Sequence, residues 1–188
     1  MSALSKKIKN NTLLIATPFL WEDSFRRTVV LVTEHSAEGT HGFILNRPLG
    51  VGVQEIFGDS FPKIEAMVYE GGPVETDTLH FLHNVGDLIS DSHRVGNGIW
   101  WGGDFEEVKF LIEQQLITAE NIRFFIGYAG WEAGQLAAEM EERHWLTSEG
   151  DANYVFRLPS NDVWKQALAT ISEQHRVIGT MPDTEFWN

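Results

Sequence analysis

Cysteine is absent from all 188 residues, and that single gap removes disulfides, thiolate catalysis and cysteine-ligated zinc together. A reducing compartment suits such a chain, so the cytoplasm is the expected location. Positive charge is scarce as well, with 14 Lys and Arg against 27 Asp and Glu. Three of those cations, Lys6, Lys7 and Lys9, fall in residues 1–12, a basic segment without an acid. The rest of the chain therefore sets 11 basic residues against 27 acidic ones, a charge of −16. Sequence-independent affinity for nucleic acid comes from cations that displace condensed counterions, and a body this acidic repels phosphate backbones instead. Direct nucleic-acid binding is disfavoured. Long apolar runs are missing too, since none approaches the roughly 20 residues that span a bilayer. Lysines before Leu13, Leu14, Ile15 and Ala16 imitate a signal peptide, but Pro18 and Trp21-Glu22-Asp23 interrupt it and no A-x-A-like site follows. A soluble protein with no membrane partner is expected.

What is present reads as one α+β domain over residues 1–188, long enough to bury most of its apolar surface, with a loose tail over 177–188 into which Phe186 and Trp187 tuck back. Residues 13–16 make a first strand. Val29, Val30, Leu31 and Val32 are continuously apolar, as in a central strand buried on both faces. Residues 41–46 form its antiparallel hairpin partner and stop at Arg47-Pro48, where proline lacks the amide donor. A loop with one helical turn covers 49–64, short strands follow at 67–69 and 78–83, and 84–97 is irregular. A strand at 99–101 leads into a helix that Asp104 caps, with Glu107 completing a capping box and Phe105, Val108, Leu111, Ile112 and Leu116 on one face. Residues 154–157 read as a strand, and a last helix opens at Ser160 with Trp164, Ala167, Leu168 and Ile171 at helical spacing. The strands around Val30, Ile44, Val68 and Phe125 are expected to share one buried sheet.

The stretch over 122–145 organises the rest. An apolar run, Ile122, Phe124, Phe125 and Ile126, meets Gly127, Tyr128, Ala129, Gly130 and Trp131, while Leu136, Ala137, Met140 and His144 follow at helical spacing. It reads as strand, tight turn and helix, with Gly127, Gly130 and Gly134 letting the backbone turn sharply. The turn carries no nucleophile, because Ala129 sits where a G-x-S-x-G elbow needs its serine, and the glycine spacing fails the dinucleotide pattern. His80 and His83 are three apart on a strand and face opposite sides, a poor pair of metal ligands. Ser90, Asp91, Ser92 and His93 have the residue types for hydroxyl activation but are adjacent in a loop.

Three ordered blocks resemble the signatures of the bacterial YqgE/AlgH family: Leu45-Asn46-Arg47-Pro48 after a glycine-led strand, Gly71-Gly72-Pro73-Val74, and Gly127-Tyr128-Ala129-Gly130-Trp131 with Gly134, Gln135 and Leu136. The opening (Leu14, Ile15, Ala16, Pro18, Leu20, Asp23, Phe25) and the closing helix (Trp164, Ala167, Leu168) agree, so the similarity runs over residues 13–168. It implies an α+β fold with a mixed, partly barrel-like or bifurcated sheet surrounded by helices, and a family without an established biochemical activity. The transcriptional-regulator label of some members runs against the charge. Ala137 departs from the acidic residue the resemblance leads one to expect there.

Each block has a binding reading and a packing reading. Arg47 offers a planar fork to an anion beside Asn46, or pairs with one of many acids. Gly71, Gly72 and Pro73 form a backbone nest or a tight turn. Amides at the 127–134 turn hold an anion at a helix N-terminus, or the glycines allow close packing. Trp100, Trp101 and Trp164 read as core, whereas Trp21 and Trp131 sit beside turns and could line a cleft. If the three turns converge, Asn46, Arg47, Gly71, Gly72, Pro73, Tyr128, Gly130 and Trp131 border one site for a small anionic metabolite or a protein partner, with Arg47 its only cation and no cofactor or metal. The expected function is a non-catalytic binding or regulatory module. The alternative is a hydrolase- or transferase-type enzyme built on carboxylates and histidine, and a DNA-binding regulator stands third.

Overall fold

The computed structural model describes residues 7–181, along which ten strands and six helices follow in order. They are β1 (Thr12–Ala16), β2 (Val29–His35), β3 (Gly39–Ile44), β4 (Pro48–Gly52), α1 (Val53–Phe57), β5 (Met67–Glu70), β6 (Val74–His83), β7 (His93–Gly96), β8 (Ile99–Trp101), α2 (Phe105–Glu113), β9 (Ile122–Glu132), α3 (Gln135–Glu141), β10 (Trp145–Glu149), α4 (Ala152–Phe156), α5 (Ser160–Ala169) and α6 (Glu173–Gly179). Phe186 and Trp187, expected to tuck back, lie outside the described residues.

All ten strands form one curled, mixed sheet in the order β10-β1-β2-β3-β9-β6-β8-β7, with β4 and β5 branching off β9. Val30, Ile44, Val68 and Phe125 share it, as the apolar runs predict. The two ends of the curl approach each other: Asn97 Nδ2 donates to the Gly150 carbonyl at 3.0 Å, and Asn11 Nδ2 donates to the same oxygen at 2.8 Å. Helices α4 and α5 fill the concave face, where Val155, Val163, Trp164 and Leu168 pack on Leu13, Leu31, Phe43 and Phe125. Trp164 Nε1 satisfies its donor on the Ala16 carbonyl at 2.8 Å. Outside the curl, α2 covers one half of β9 through Val108, Leu111 and Ile112, and α3 covers the other through Leu136.

The fork is the feature that positions everything else. On one edge, β9 pairs in parallel with β5 through Phe124, Phe125 and Ile126, then antiparallel with β3 from Ala129 to Glu132. On the other edge, it pairs with β6 from Ile122 to Tyr128. The chain leaves β5 on the first edge and enters β6 on the second, so residues 71–73 step across the β9 backbone. Close approach of two backbones demands glycine there: a Cβ on Gly71 would stand 2.1 Å from the Gly127 oxygen, and one on Gly72 would stand 2.3 Å from the Tyr128 oxygen. Gly127 itself adopts φ +67° and lies where the pairing of β9 with β6 breaks register between Val74 and Leu79. Phe125 and Tyr128 consequently face the concave side, while Ile126 and Ala129 face outwards.

Several sequence expectations change. Gly127 does not end a strand, because β9 continues to Glu132 and only Gly134, in the left-handed conformation, turns the chain into α3. His144 lies beyond α3. Pro48 does not merely stop the hairpin, since β3 ends at Ile44 and Pro48 opens the edge strand β4. Residues 154–157, read as a strand, belong mostly to α4, which the Asp151 carboxylate caps by accepting from Asn153 N and Tyr154 N. β7 and β10 fall in stretches without an apolar pattern. Asp104 does cap α2, accepting from Glu107 N at 2.9 Å, but Glu107 completes no box: its carboxylate holds Ser90 through the backbone amide and the hydroxyl. Leu116 is exposed past the end of α2.

Candidate functional site

The three glycine-bearing blocks meet at the backbone. Ile44 N donates to the Gly71 carbonyl, Gly71 N to the Ile126 carbonyl and Glu70 N to the Arg47 carbonyl, all at 2.8–2.9 Å, so the crossing is filled with main chain. Asn46 closes a loop, its Oδ1 accepting from Val29 N at 3.0 Å and its Nδ2 donating to the Arg27 carbonyl at 2.9 Å. Arg47 is not a lone cation facing a neutral pocket. It donates to the carbonyls of Asp23 and Arg26 and lies 3.7 Å from Glu70.

Trp131 is only 4% exposed, and its cluster lies on the outer face. It stacks on Phe25 and meets Trp145 edge-on. One carboxylate oxygen of Glu139 accepts from both indoles, at 2.9 Å from Trp131 Nε1 and 2.7 Å from Trp145 Nε1. Trp21, by contrast, is 55% exposed. Trp100 and Trp101 are half-buried rather than core.

Of the hydroxyls in the Ser90-Asp91-Ser92-His93 stretch, Ser92 meets the imidazole of His83 rather than that of His93, and the pair is turned the wrong way for catalysis. His83 is fully buried, and its Nε2 lies 2.9 Å from the Gly102 carbonyl, which only accepts, so the ring proton sits there. Ser92 Oγ, 3.1 Å from the same nitrogen, donates to the Ile89 carbonyl at 2.9 Å. The basic nitrogen, Nδ1, is buried with no partner and faces no hydroxyl. Burial holds the His83 pKa below its ordinary value. Ser92 and His83 therefore fasten a turn. Among the described residues, no group of three or more His, Asp or Glu is arranged to hold a metal ion.

Where β9 outruns β6, the surface opens into a groove of about 680 Å³ lined by residues of β2, β3, β9 and the 36–38 loop. Tyr128, Gly130 and Trp131 of the eight sequence candidates line it, whereas Asn46, Arg47, Gly71, Gly72 and Pro73 do not. A bulge at Thr33 puts Glu34 opposite His41, and His41 in turn is opposite Gly130, so a row crosses three strands. Gly130 contributes no side chain to the floor, and the Tyr128 ring lies over it, 3.1 Å from where a Cβ would stand.

His41 is sandwiched between Trp101 and Tyr128, with ring centroids 4.6 and 4.4 Å away. The Thr33 hydroxyl donates to the His41 carbonyl and lies 2.7 Å from Nδ1, assigning the ring proton to Nδ1. Burial, with the neighbouring His80 adding repulsion, lowers the His41 pKa to about 4, so the ring is a neutral acceptor. Burial lowers the His80 pKa as well, against the opposing pull of Glu75. Glu34, Glu38 and Glu132 complete the lining, which among the described residues includes no Lys or Arg. Glu34 and Glu132 carry no motif, and they come together only through strand pairing.

A curled, forked α+β sheet with helices inside and outside, its strands crossing at a glycine step, defines an architecture shared with solved proteins. The solution structure of the AlgH protein from Pseudomonas aeruginosa matches with a TM-score of 0.74 at 29% identity, over 97% of this chain and 98% of that one. The crystal structure of protein DIP2367 from Corynebacterium diphtheriae gives the same TM-score at 25% identity, with 93% of each chain covered. A family model described as AlgH-like matches residues 13–176, and the chain belongs to that family. Its relatives include a UPF0301 protein of Pelodictyon phaeoclathratiforme, 41% identical over 94% of both chains. Another, from Bacteroides thetaiotaomicron, is 38% identical over 94% of this chain and 89% of its own. Among the described residues, no helix is long and apolar enough to cross a membrane.

Proposed function

We propose that this protein is a non-catalytic binding module whose groove at the end of β9 receives a cationic group. The observation that carries this reading is the lining: Glu34, Glu38 and Glu132 around the neutral acceptor His41, with no cation among the described residues of any wall. Carboxylates and an unprotonated imidazole accept hydrogen bonds, so the matching ligand is a donor-rich ammonium or guanidinium. Tyr128 adds an aromatic face of the kind that attracts cations. The anionic metabolite expected from the glycine turns suits this surface poorly, because like charges meet at the rim. A hydrolase or transferase finds no support in the Ser92–His83 pair, whose basic nitrogen is buried. The same acids disfavour a nucleic-acid role here.

A thermal-shift series tests the reading. Spermidine and arginine amide are expected to raise the melting temperature in a salt-sensitive way, and phosphate and citrate to leave it unchanged. Glu34→Gln with Glu132→Gln is expected to abolish the rise. Stabilisation by the anions alone would overturn it.

A further inference from the structure

The groove borders a strand edge as well as a set of charges, and the two together define its occupant more narrowly. β6 begins at Val74, opposite Tyr128, while β9 runs on for four residues to Glu132. Those four pair with β3 on one edge, from Gly39 to Gly42, and with no strand among the described residues on the other. Glu132 N is satisfied there by a side chain, the Gln135 Oε1 at 3.0 Å. Alternate residues of a strand point their amides the same way, so the Gly130 N–H and C=O turn towards that open edge too. Gly130 has no side chain of its own, and the atoms nearest to where its Cβ would stand belong to the Tyr128 ring at 3.1 Å and Val74 Cγ2 at 3.7 Å, so a second backbone would approach the edge alongside that ring.

Accordingly, we propose that the natural occupant is an extended, lysine- or arginine-bearing segment of another protein, which pairs with the free edge of β9 and lays its basic side chains between Glu34 and Glu132. This rests on the cationic reading above and adds the main-chain pairing. Edge addition supplies affinity through backbone hydrogen bonds, while flanking side chains supply selectivity. Four residues of edge span about 13 Å, enough for a segment of similar length. Charge complementarity picks the partner: an acidic segment would set its carboxylates against three glutamates, whereas a basic one meets acceptors on both walls. Gln135 acts as a stopper that the incoming carbonyl displaces from the Glu132 amide.

Three probes at matched concentration test this by calorimetry on the full chain. The first is a capped pentapeptide alternating arginine and valine, the second is the same peptide N-methylated at alternate amides, and the third is arginine amide. Main-chain pairing predicts that N-methylation weakens binding about tenfold, the loss of one or two net backbone hydrogen bonds. Gln135→Ala, which frees the Glu132 amide, is expected to tighten the unmethylated peptide and leave the methylated one unchanged. Glu34→Gln with Glu132→Gln is expected to weaken every cationic probe. Equal binding of the methylated and parent peptides would overturn strand addition while leaving a cationic groove standing. Failure of all three probes on folded protein would overturn both readings, and tight binding of a glutamate–valine peptide would do the same.

Discussion

Two places on β9, three residues apart, use glycines for opposite ends. At Gly127 the strand is crossed by Gly71 and Gly72, and main chain fills the space that side chains would occupy. At Gly130 the strand has lost its β6 neighbour, and the missing side chain leaves room for the Tyr128 ring to lie over the backbone. In the first case glycine permits contact between two backbones; in the second it makes room for a neighbouring ring. A glycine-rich block is thus not a single signal. Its neighbours on the opposite strands decide which of the two it is.

The largest effect is expected at the crossing. In Gly71→Ala the new Cβ meets the Gly127 oxygen at 2.1 Å and the Phe43 ring at 2.9 Å, and neither the paired backbone nor the buried ring can withdraw. Gly127→Ala adds an unfavourable φ of +67° to a 2.6 Å contact with the Gly72 oxygen. Each is expected to cost about 4 kcal/mol or to prevent folding, at the extreme of single substitutions. Chemical denaturation would measure it. A near-wild-type midpoint for both would show that the fork can open, and the contrast with Gly130 would fail.

This crossing was the part least legible in the sequence. Glycine flanked by apolar residues reads as turn chemistry, and nothing local distinguishes a chain reversal from a strand that another strand steps over. The β2–β3 hairpin was legible because both strands bury continuous apolar runs, and α2 because Asp104 and its apolar face agree. Tyr154, Val155 and Phe156 misled through strand-forming side chains in a segment that the Asp151 cap makes helical. Of the groove, Tyr128, Gly130 and Trp131 were within the sequence reading. Glu34 and Glu132 were not, because surface glutamates are common and their proximity follows only from the register of β2, β3 and β9.

Acid should weaken the groove end selectively. His41 has a folded-state pKa of about 4 against 6.5 in the unfolded chain, so between these values the unfolded state binds a proton that the folded state refuses. Stability is therefore complete above pH 6.5 and falls as pH drops towards 4, by about 3 kcal/mol for this residue alone. His83 and His80, also held low, act in the same direction. His41→Phe keeps a ring between Trp101 and Tyr128 and is expected to flatten the slope of melting temperature against pH over this window. An unchanged slope would remove His41 from the account.

Arg47→Ala separates the sequence reading of the fork from the structural one by a smaller margin. The side chain supports the loop through the Asp23 and Arg26 carbonyls and a half-exposed pair with Glu70. Removing it is expected to cost about 1–2 kcal/mol, since Glu70 retains water once its partner is gone. Binding of spermidine at the groove should not change. A loss of 3–5 kcal/mol, the range for a stranded buried charge, would mean that Glu70 is sealed in the folded protein.

The smallest effect on stability, and the sharpest on binding, is expected for Gly130→Ala. Its φ is not of the left-handed kind, and the contacts a Cβ would make are side-chain atoms, Tyr128 at 3.1 Å and Val74 at 3.7 Å. The Tyr128 ring is half-buried, so it can move by the few tenths of an ångström required, at a cost of under about 1 kcal/mol. That movement disturbs the stack on His41 and raises the floor where a second backbone would lie. A folded Gly130→Ala protein with a near-native melting temperature and weakened response to the arginine–valine peptide would keep the two glycine sites distinct. Equal loss of stability at Gly130 and Gly127 would make them one packing feature, and full binding by Gly130→Ala would take Gly130 out of recognition.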